Sequence, residues 1–240
     1  MRVAFLGPAP TFAQLVARQL APGASLEPRE SIPALFAAAA DGAVDALVTP
    51  FENSAVGRVG EVVEALLALQ RPMAVLGEHV EPVRLSLYRR TGDTAPLARV
   101  LGYPVALAQC KRWIARHHAV PVAVDSNGAG FAAVAGGDQA GDGALAPPGC
   151  GTATMVEVAQ DCQGAAANQT RFLMLGAAAP AAAMRALVFA HGSGAVELAF
   201  PTPVATSDLP GRPLLLWTEA APPGTRVGWP SATAHVWRLA

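Results

Sequence analysis

Short apolar runs of strand length alternate with segments of helical periodicity over the first two thirds of the chain. The first set of elements ends near residue 89. Its pattern predicts strands over 2–6, 43–49, 73–82 and 85–89 and helices over 11–20, 31–41 and 61–69. Because strands that alternate with helices form βαβ units, we expect an α/β fold with a largely parallel sheet.

A second set of elements begins near Leu97. It predicts strands over 100–102, 120–124, 144–146 and 171–175 and helices over 106–118 and 128–135. A turn-rich loop over 136–143 precedes the third of these strands. Two α/β units of comparable size indicate two lobes, and a cleft between lobes is a natural place for a ligand.

The pattern changes from Pro180 onward, where prolines separate short apolar runs. No segment there has a helical period. The runs predict strands over 187–190, 196–200, 214–218 and 235–239. Residues 180–240 are therefore expected to form a small β-rich appendage.

Charge narrows the classes of partner. The 240 residues include 17 Lys and Arg against 18 Asp and Glu, without a basic cluster. This balance argues against nucleic acid and anionic membranes and favours a small-molecule substrate. No apolar run approaches the ~20 residues needed to span a bilayer, and the N-terminus lacks signal-peptide features. We therefore expect a cytoplasmic protein.

Cysteine spacing gives no sign of a metal site. The three cysteines, Cys110, Cys150 and Cys162, form neither a CxxC motif nor a Cys/His pattern. Neither a disulfide framework nor a zinc site is indicated. The sequence also lacks a GxGxxG motif, a Walker loop and a metal-spaced set of carboxylates.

Polar residues gather at four points where predicted strands end or begin, which is where α/β folds place ligands. In the first cluster, 7–12, Thr11 can cap a helix whose free N–H groups would hold a carboxylate. An ordinary capped turn is the alternative. In the second cluster, Glu52, Asn53 and Ser54 follow a buried strand. Three such side chains are costly to bury without partners, although a polar helix cap also explains them.

The other two clusters lie in the second half of the chain. Ser126 and Asn127 stand at a strand-to-helix junction and, taken alone, are mostly a cap. In the fourth cluster, Asn168 and Thr170 precede Arg171 at the mouth of a strand. Arginine can bind a carboxylate bidentately, and a threonine hydroxyl can donate or relay a proton. A strand entry with a surface arginine is the alternative.

Read together and in this order, the clusters resemble the prephenate dehydratase family. GPAPTFAQLVA is similar to the family's GPxGTFSxxAA, and TPFENSAVGRV to its VPIENSxxGxV. YPVALAQCKRWI resembles HPQALxQCxxWL, and AQDCQGAAANQTRFLML resembles IQDxxxNxTRFxxL. The resemblance covers residues 1 to about 176, and the ENS and TRF elements are specific in combination.

The resemblance implies a two-lobed fold like that of type II periplasmic binding proteins. Lobe 1 would comprise residues 1–77 with 165–179, and lobe 2 would comprise 78–164. Prephenate would lie in the cleft and lose its ring hydroxyl as water and one carboxylate as carbon dioxide, giving phenylpyruvate. A lyase that uses no cofactor or metal and forms a homodimer is implied, with arogenate, which would give phenylalanine, as an alternative substrate.

The resemblance also assigns roles to individual residues. Thr170 would be the proton donor, because the family's TRF threonine has that role. The substrate-binding set would comprise Thr11, Glu52, Asn53, Ser54, Ser126, Asn127, Asn168, Arg171 and Phe172. Within this set Glu52 would fix the loop.

Departures from the family pattern leave two other functions open. Pro10, the segment 103–105 and the segment 126–128 differ from the family motifs, and no C-terminal ACT domain is recognisable. One alternative is a prephenate decarboxylase of secondary metabolism, which keeps the ring hydroxyl. The other is a non-catalytic intracellular protein that binds a small acid.

Overall fold

The computed structural model describes residues 1–54, 57–69, 73–164 and 168–177, and it assigns strands within 186–239. Contacts divide the chain into two compact units. Unit 1 comprises residues 1–6, 16–81 and 169–240, and unit 2 comprises residues 7–15 and 82–168. The chain therefore crosses between the units four times.

The elements alternate along the chain much as the apolar pattern predicts. Up to residue 177 they are β1 (Arg2–Leu6), α1 (Phe12–Leu20), β2 (Ser25–Arg29), α2 (Ile32–Ala40), β3 (Ala46–Asn53), β4 (Gly57–Arg58), α3 (Gly60–Leu67), β5 (Met73–Pro82), β6 (Ser86–Arg90), β7 (Arg99–Gly102), α4 (Pro104–Gln109), α5 (Lys111–Arg116), β8 (Val120–Ala123), α6 (Asn127–Gly136), β9 (Asp142–Ala146), β10 (Met155–Ala159) and β11 (Gln169–Ala177). The strands that follow are β12 (Ala186–His191), β13 (Gly194–Ala199), β14 (Asp208–Leu209), β15 (Arg212–Pro213), β16 (Arg226–Gly228) and β17 (His235–Leu239).

Unit 1 is built on one mixed sheet. Its strand order is β16-β17-β12-β13-β5-β11-β3-β1-β2, with β4 paired to β3. Helices α2 and α3 cover one face through Leu35, Phe36 and Leu66. These side chains pack against Phe51 of β3 and Leu173 of β11, and all five are buried. This core holds β3 and β11 side by side.

Unit 2 is built on a second mixed sheet with helices on both faces. Its strand order is β10-β6-β9-β7-β8. On one face α4 and α5 contribute Leu107 and Ile114 to a buried cluster around Leu145. On the other face Phe131 of α6 lies edge-on to Tyr88, with ring centroids 5.3 Å apart.

The structure confirms the α/β class but corrects the expected sheet pairing. β1 is parallel to both β2 and β3, yet β11 is antiparallel to β3, so the unit 1 sheet is mixed rather than largely parallel. The helix predicted over 106–118 is two helices, α4 and α5, which meet at Cys110.

The C-terminal third is described only in part. Strands β12, β13 and β17 agree with the predictions for 187–190, 196–200 and 235–239, whereas the strand predicted over 214–218 lies outside the described residues. β13 pairs with β5 through Leu198 and Met73, so these strands continue the unit 1 sheet. The lobe boundaries at 77/78 and 164/165 stay predictions. None of the described helices is long and apolar enough to cross a membrane.

Candidate active site

The second polar cluster lies beside Thr170 and Arg171 of the fourth cluster in unit 1. β3 and β11 are antiparallel neighbours, with Asn53 opposite Thr170. Two further hydrogen bonds extend the pairing past the end of β3. The backbone N–H of Ser54 donates to the carbonyl of Gln169 (2.9 Å), and the N–H of Gln169 donates to the Ser54 hydroxyl (2.9 Å). The sheet thus joins two clusters that are more than a hundred residues apart in sequence.

The Thr170 hydroxyl is held at this junction. Asn53 Nδ2 donates a hydrogen bond to Thr170 Oγ1 over 2.9 Å. Thr170 is only 8% exposed, so this contact is made in a largely desolvated setting. Because a hydroxyl both donates and accepts, Thr170 keeps its own proton for donation while its oxygen accepts from Asn53.

Arg171 is buried completely, on the other face of β11 from Thr170. Its guanidinium forms an ion pair with Glu78 of β5. Its Nε also lies 3.8 Å from Oε2 of Glu52, the residue opposite it on β3. One buried cation thus faces two buried carboxylates, and that pairing fixes β3, β5 and β11 together where Thr170 is held. The predicted contact of Arg171 with substrate stays a prediction.

The register between β3 and β11 shifts beside this ion pair. Arg171 pairs with Glu52, but the next residue, Phe172, pairs with Pro50, which leaves Phe51 as an extra residue on β3. Such a bulge turns side chains locally without ending the strand. Phe172 is buried and shares a face of β11 with Thr170.

Two predicted binding residues of unit 2 are helix caps. Thr11 Oγ1 accepts a hydrogen bond from the N–H of Gln14 (3.2 Å) at the start of α1. Ser126 Oγ accepts from the N–H of Ala129 (3.0 Å) at the start of α6. These contacts match the capping interpretation of both clusters. A contact of Thr11 or Ser126 with substrate is untested and stays a prediction.

The start of α6 lies against other polar segments of unit 2. Asn127 Oδ1 accepts a hydrogen bond from the N–H of Tyr103 (2.8 Å), which precedes α4. A Cβ built on Gly128 would overlap the carbonyl oxygen of Pro8, so only glycine fits this approach. The structure thus brings the 103–105, 126–128 and 7–12 segments together within one unit.

Asn168 lies where the chain crosses from unit 2 into β11. The residue is buried, and its carbonyl oxygen accepts a hydrogen bond from the N–H of Val83 (2.8 Å). This backbone contact joins the segment after β5 to the segment before β11. The role of the Asn168 side chain toward substrate stays a prediction.

Sequence reasoning missed three polar residues of β5. Glu78 pairs with Arg171, and Nε2 of His79 lies 2.8 Å from Oε2 of Glu81. The signal was present in the sequence, because charged residues interrupt a strand predicted over 73–82. Polar groups in a central strand need partners, and those partners lie far away in sequence.

The described residues contain no group of three or more His, Cys, Asp or Glu side chains placed to hold a metal ion. The buried thiols of unit 2 are also poor nucleophiles. Desolvation raises the pKa of Cys110 to about 12 and that of Cys162 to about 11. That no cofactor takes part stays a prediction.

The family model and the curated relatives name the same family. The family model described as prephenate dehydratase matches residues 3–180. A curated prephenate dehydratase of Mycobacterium sp. (strain JLS) is 33% identical over 195 residues, which is 75% of this chain and 61% of that protein. This chain therefore spans less than two thirds of that relative's length.

Solved structures show the same fold. The prephenate dehydratase of Arthrobacter aurescens, solved in complex with L-Phe, has a TM-score of 0.67 at 24% identity, covering 80% of this chain and 66% of that one. GqqA, described as a novel type of quorum quenching acylase, has a TM-score of 0.66 at 24% identity, covering 80% of this chain and 72% of that one. Since the family model matches well over half of its residues, this chain belongs to the prephenate dehydratase family.

Proposed function

We propose that this chain is a lyase that converts prephenate to phenylpyruvate, with Thr170 as the proton donor. The observation that carries the proposal is the 2.9 Å hydrogen bond from Asn53 Nδ2 to Thr170 Oγ1. A dehydratase and a described acylase share this fold, so the fold alone does not select the reaction. The proposal therefore depends on the family match and on these residues.

The reaction needs one proton at the departing hydroxyl. As the bond between the ring and the carboxylate carbon breaks, its electron pair enters the ring and the C–O bond to the hydroxyl breaks. The hydroxyl leaves as water after taking one proton, and the carboxylate leaves as carbon dioxide. Recovery of aromaticity drives both losses, so the protein has to orient the substrate, exclude water and supply the proton.

Asn53 makes a threonine more effective in this role. A threonine hydroxyl is a very weak acid, and negative charge develops on its oxygen as the proton leaves. The Nδ2–H of Asn53 points at this oxygen and stabilises that charge. The burial of Thr170 strengthens the interaction, because little water competes for the oxygen.

Arg171 has a positioning role in this account. Its charge is engaged by Glu52 and Glu78, so it orders the strand segment that presents Thr170. The predicted contacts of Thr11 and Ser126 with the substrate carboxylates belong to the same proposal, because the start of a helix favours an anion.

The cellular setting is part of the same proposal. We infer a cytoplasmic homodimer that takes a small diacid and has neither nucleic acid nor membrane as a partner. The near-neutral charge balance supports the exclusion of polyanionic partners. Size-exclusion chromatography with light scattering tests the dimer, and a monomeric mass at assay concentration would contradict it.

The direct test incubates the purified protein with prephenate at neutral pH and identifies all products by mass. Phenylpyruvate should form well above the uncatalysed rate. A product that keeps the ring hydroxyl would instead indicate a decarboxylase. Unchanged prephenate after saturable binding would indicate a binding protein. Thr170→Ser is the matched control for Thr170→Ala, because it keeps the hydroxyl and should keep turnover.

A further inference from the structure

A second pair of polar side chains lies on β5, one strand away from Thr170. Nε2 of His79 lies 2.8 Å from Oε2 of Glu81, which is an ion pair when the imidazole is protonated. The His79 side chain is 32% exposed and the Glu81 side chain 12% exposed. The imidazole can therefore exchange protons with solvent, while the carboxylate lies deeper.

Two contacts define how β5 faces β11, its neighbour in the sheet. Beyond the end of β5, the N–H of Val83 donates to the carbonyl of Asn168. Near the middle of β5, a Cβ built on Gly77 would lie 3.9 Å from Cβ of Met174. Gly77 precedes Val83 by as many positions as Met174 follows Asn168. The two strands are therefore antiparallel, in one register across this stretch.

That register places Glu81 opposite Thr170. Glu81 lies four positions after Gly77, and Thr170 lies four positions before Met174, so both pairs lie on one face of the sheet. His79 falls opposite Phe172 by the same count. Side chains directly opposite have Cβ atoms about 4.5–5.5 Å apart, within reach of a glutamate carboxyl directly or through one water.

The other charged side chain of this part of β5 lies away from Thr170. Glu78 alternates to the opposite face of β5, where it pairs with Arg171. Across the strand pair, His79 and Glu81 meet the uncharged Phe172 and Thr170. Helix α1 reaches this face through Leu20, whose Cδ2 would lie 3.3 Å from a Cβ built on Gly77. Among the described residues, the acid and base groups found beside Thr170 on this face are thus Glu81 and His79.

We infer that His79 and Glu81 resupply the proton that Thr170 delivers in each turnover. This inference rests on the proposed dehydratase function. Thr170 Oγ–H protonates the departing hydroxyl, and Thr170 then takes a proton from the Glu81 carboxyl. Glu81 takes its proton from Nε2–H of the His79 imidazolium, and solvent protonates His79 again. One proton enters from water and leaves in the water product, so the cycle balances.

The arrangement answers a requirement of the reaction. Prephenate carries two carboxylates and its products carry one, so each turnover consumes one proton. A threonine that gives up its proton becomes an alkoxide, which is costly to form unless a second proton reaches its oxygen as the first one leaves. Histidine changes its charge between about pH 5 and 8, which suits it to collecting protons under ordinary conditions. Both side chains act through Thr170 and do not contact the substrate.

His79→Gln and Glu81→Gln test the relay by steady-state kinetics of phenylpyruvate formation. Each variant should lower kcat by about 10-fold or more with little change in KM, since proton supply is removed and binding is not. The pH dependence of kcat should differ between the wild type and His79→Gln, because the variant lacks the group that passes protons to Glu81. Imidazole added to His79→Gly should restore part of the rate.

The controls separate a relay from a structural pair. His117→Gln and Glu64→Gln change an exposed histidine and an exposed glutamate and should leave kcat unchanged. If Glu81→Gln fails to fold by circular dichroism, the more exposed His79 variants still decide the question. Wild-type values of kcat and an unaltered pH profile in folded His79→Gln would overturn the relay. If the wild-type protein forms no phenylpyruvate from prephenate, the proposed function itself is overturned.

Discussion

Replacing Arg171 by Met should destabilise the protein strongly. The substitution keeps a long apolar side chain but removes the positive charge that faces Glu52 and Glu78. Arg171 is fully buried and the two carboxylates are nearly so, so little water can take over the solvation of the remaining charges. Breaking a buried pair by removing one partner typically costs about 3–5 kcal/mol, because an uncompensated buried charge remains.

The measurement is the midpoint of urea unfolding, followed by far-ultraviolet circular dichroism. With a slope of about 2–3 kcal/mol/M, a loss of about 3–5 kcal/mol lowers the midpoint by about 1–2.5 M. Arg171→Lys keeps the charge but not the planar geometry that meets two carboxylates, so its midpoint should fall between those of Arg171→Met and the wild type.

Arg84 provides a matched control for this prediction. Its guanidinium makes two short contacts with Asp161, of 2.7 and 2.5 Å, but both side chains are about half exposed. Exposed pairs add little stability, so Arg84→Met should leave the urea midpoint close to the wild-type value. Equal shifts for Arg84→Met and Arg171→Met would refute the reasoning, because burial would then not determine the cost.

Three further outcomes are expected. Asn53→Ala should lower kcat by about 10-fold or more, because Thr170 Oγ1 loses its hydrogen-bond donor, and it should change the unfolding midpoint only slightly. An unchanged kcat would show that Asn53 has no part in the mechanism. Gly128→Ala should lower the free energy of unfolding by about 1–3 kcal/mol through backbone overlap, which a lower thermal midpoint would report, whereas Gly136→Ala in the same helix meets open space and should leave the midpoint unchanged. Because burial raises the pKa of Cys110 to about 12, a thiol reagent at pH 8 should modify it only after denaturation. Peptide mass mapping that finds Cys110 itself rapidly labelled in the native protein would contradict this, whereas labelling of the half-buried Cys150 would not.

The pattern of apolar residues predicts strands and helices well where those apolar residues are the ones that become buried. β5 runs over Met73–Pro82, the range predicted for it, because it starts with four apolar residues and ends at a proline, although charged residues interrupt its second half. β2 and β10 were missed for opposite reasons. β2, with the sequence SLEPR, is an edge strand with little buried surface, so its sequence is mostly polar. In β10, Val156 and Val158 are 45% and 49% exposed, so its apolar residues do not mark a buried face.

The sequence predicted which residues belong to the candidate site but not all of the residues that they contact. The ENS and TRF segments indicated Asn53 and Thr170, whose contact the structure describes. The pairing of Arg171 with Glu78 was beyond reach, because strand order in the sheet cannot be read from local periodicity. Sequence analysis therefore left Glu78 without a role, and the contact that it predicted between Arg171 and substrate stays a prediction.

Turnover of prephenate by Thr170→Ala, measured alongside prephenate binding by calorimetry, tests the central claim most directly. If Thr170 supplies the proton, phenylpyruvate formation should fall by about 10²- to 10⁴-fold relative to the wild type while prephenate still binds. Thr170→Ser should remain active in the same assay. A Thr170→Ala protein that is folded, binds prephenate and forms phenylpyruvate at the wild-type rate would contradict the account.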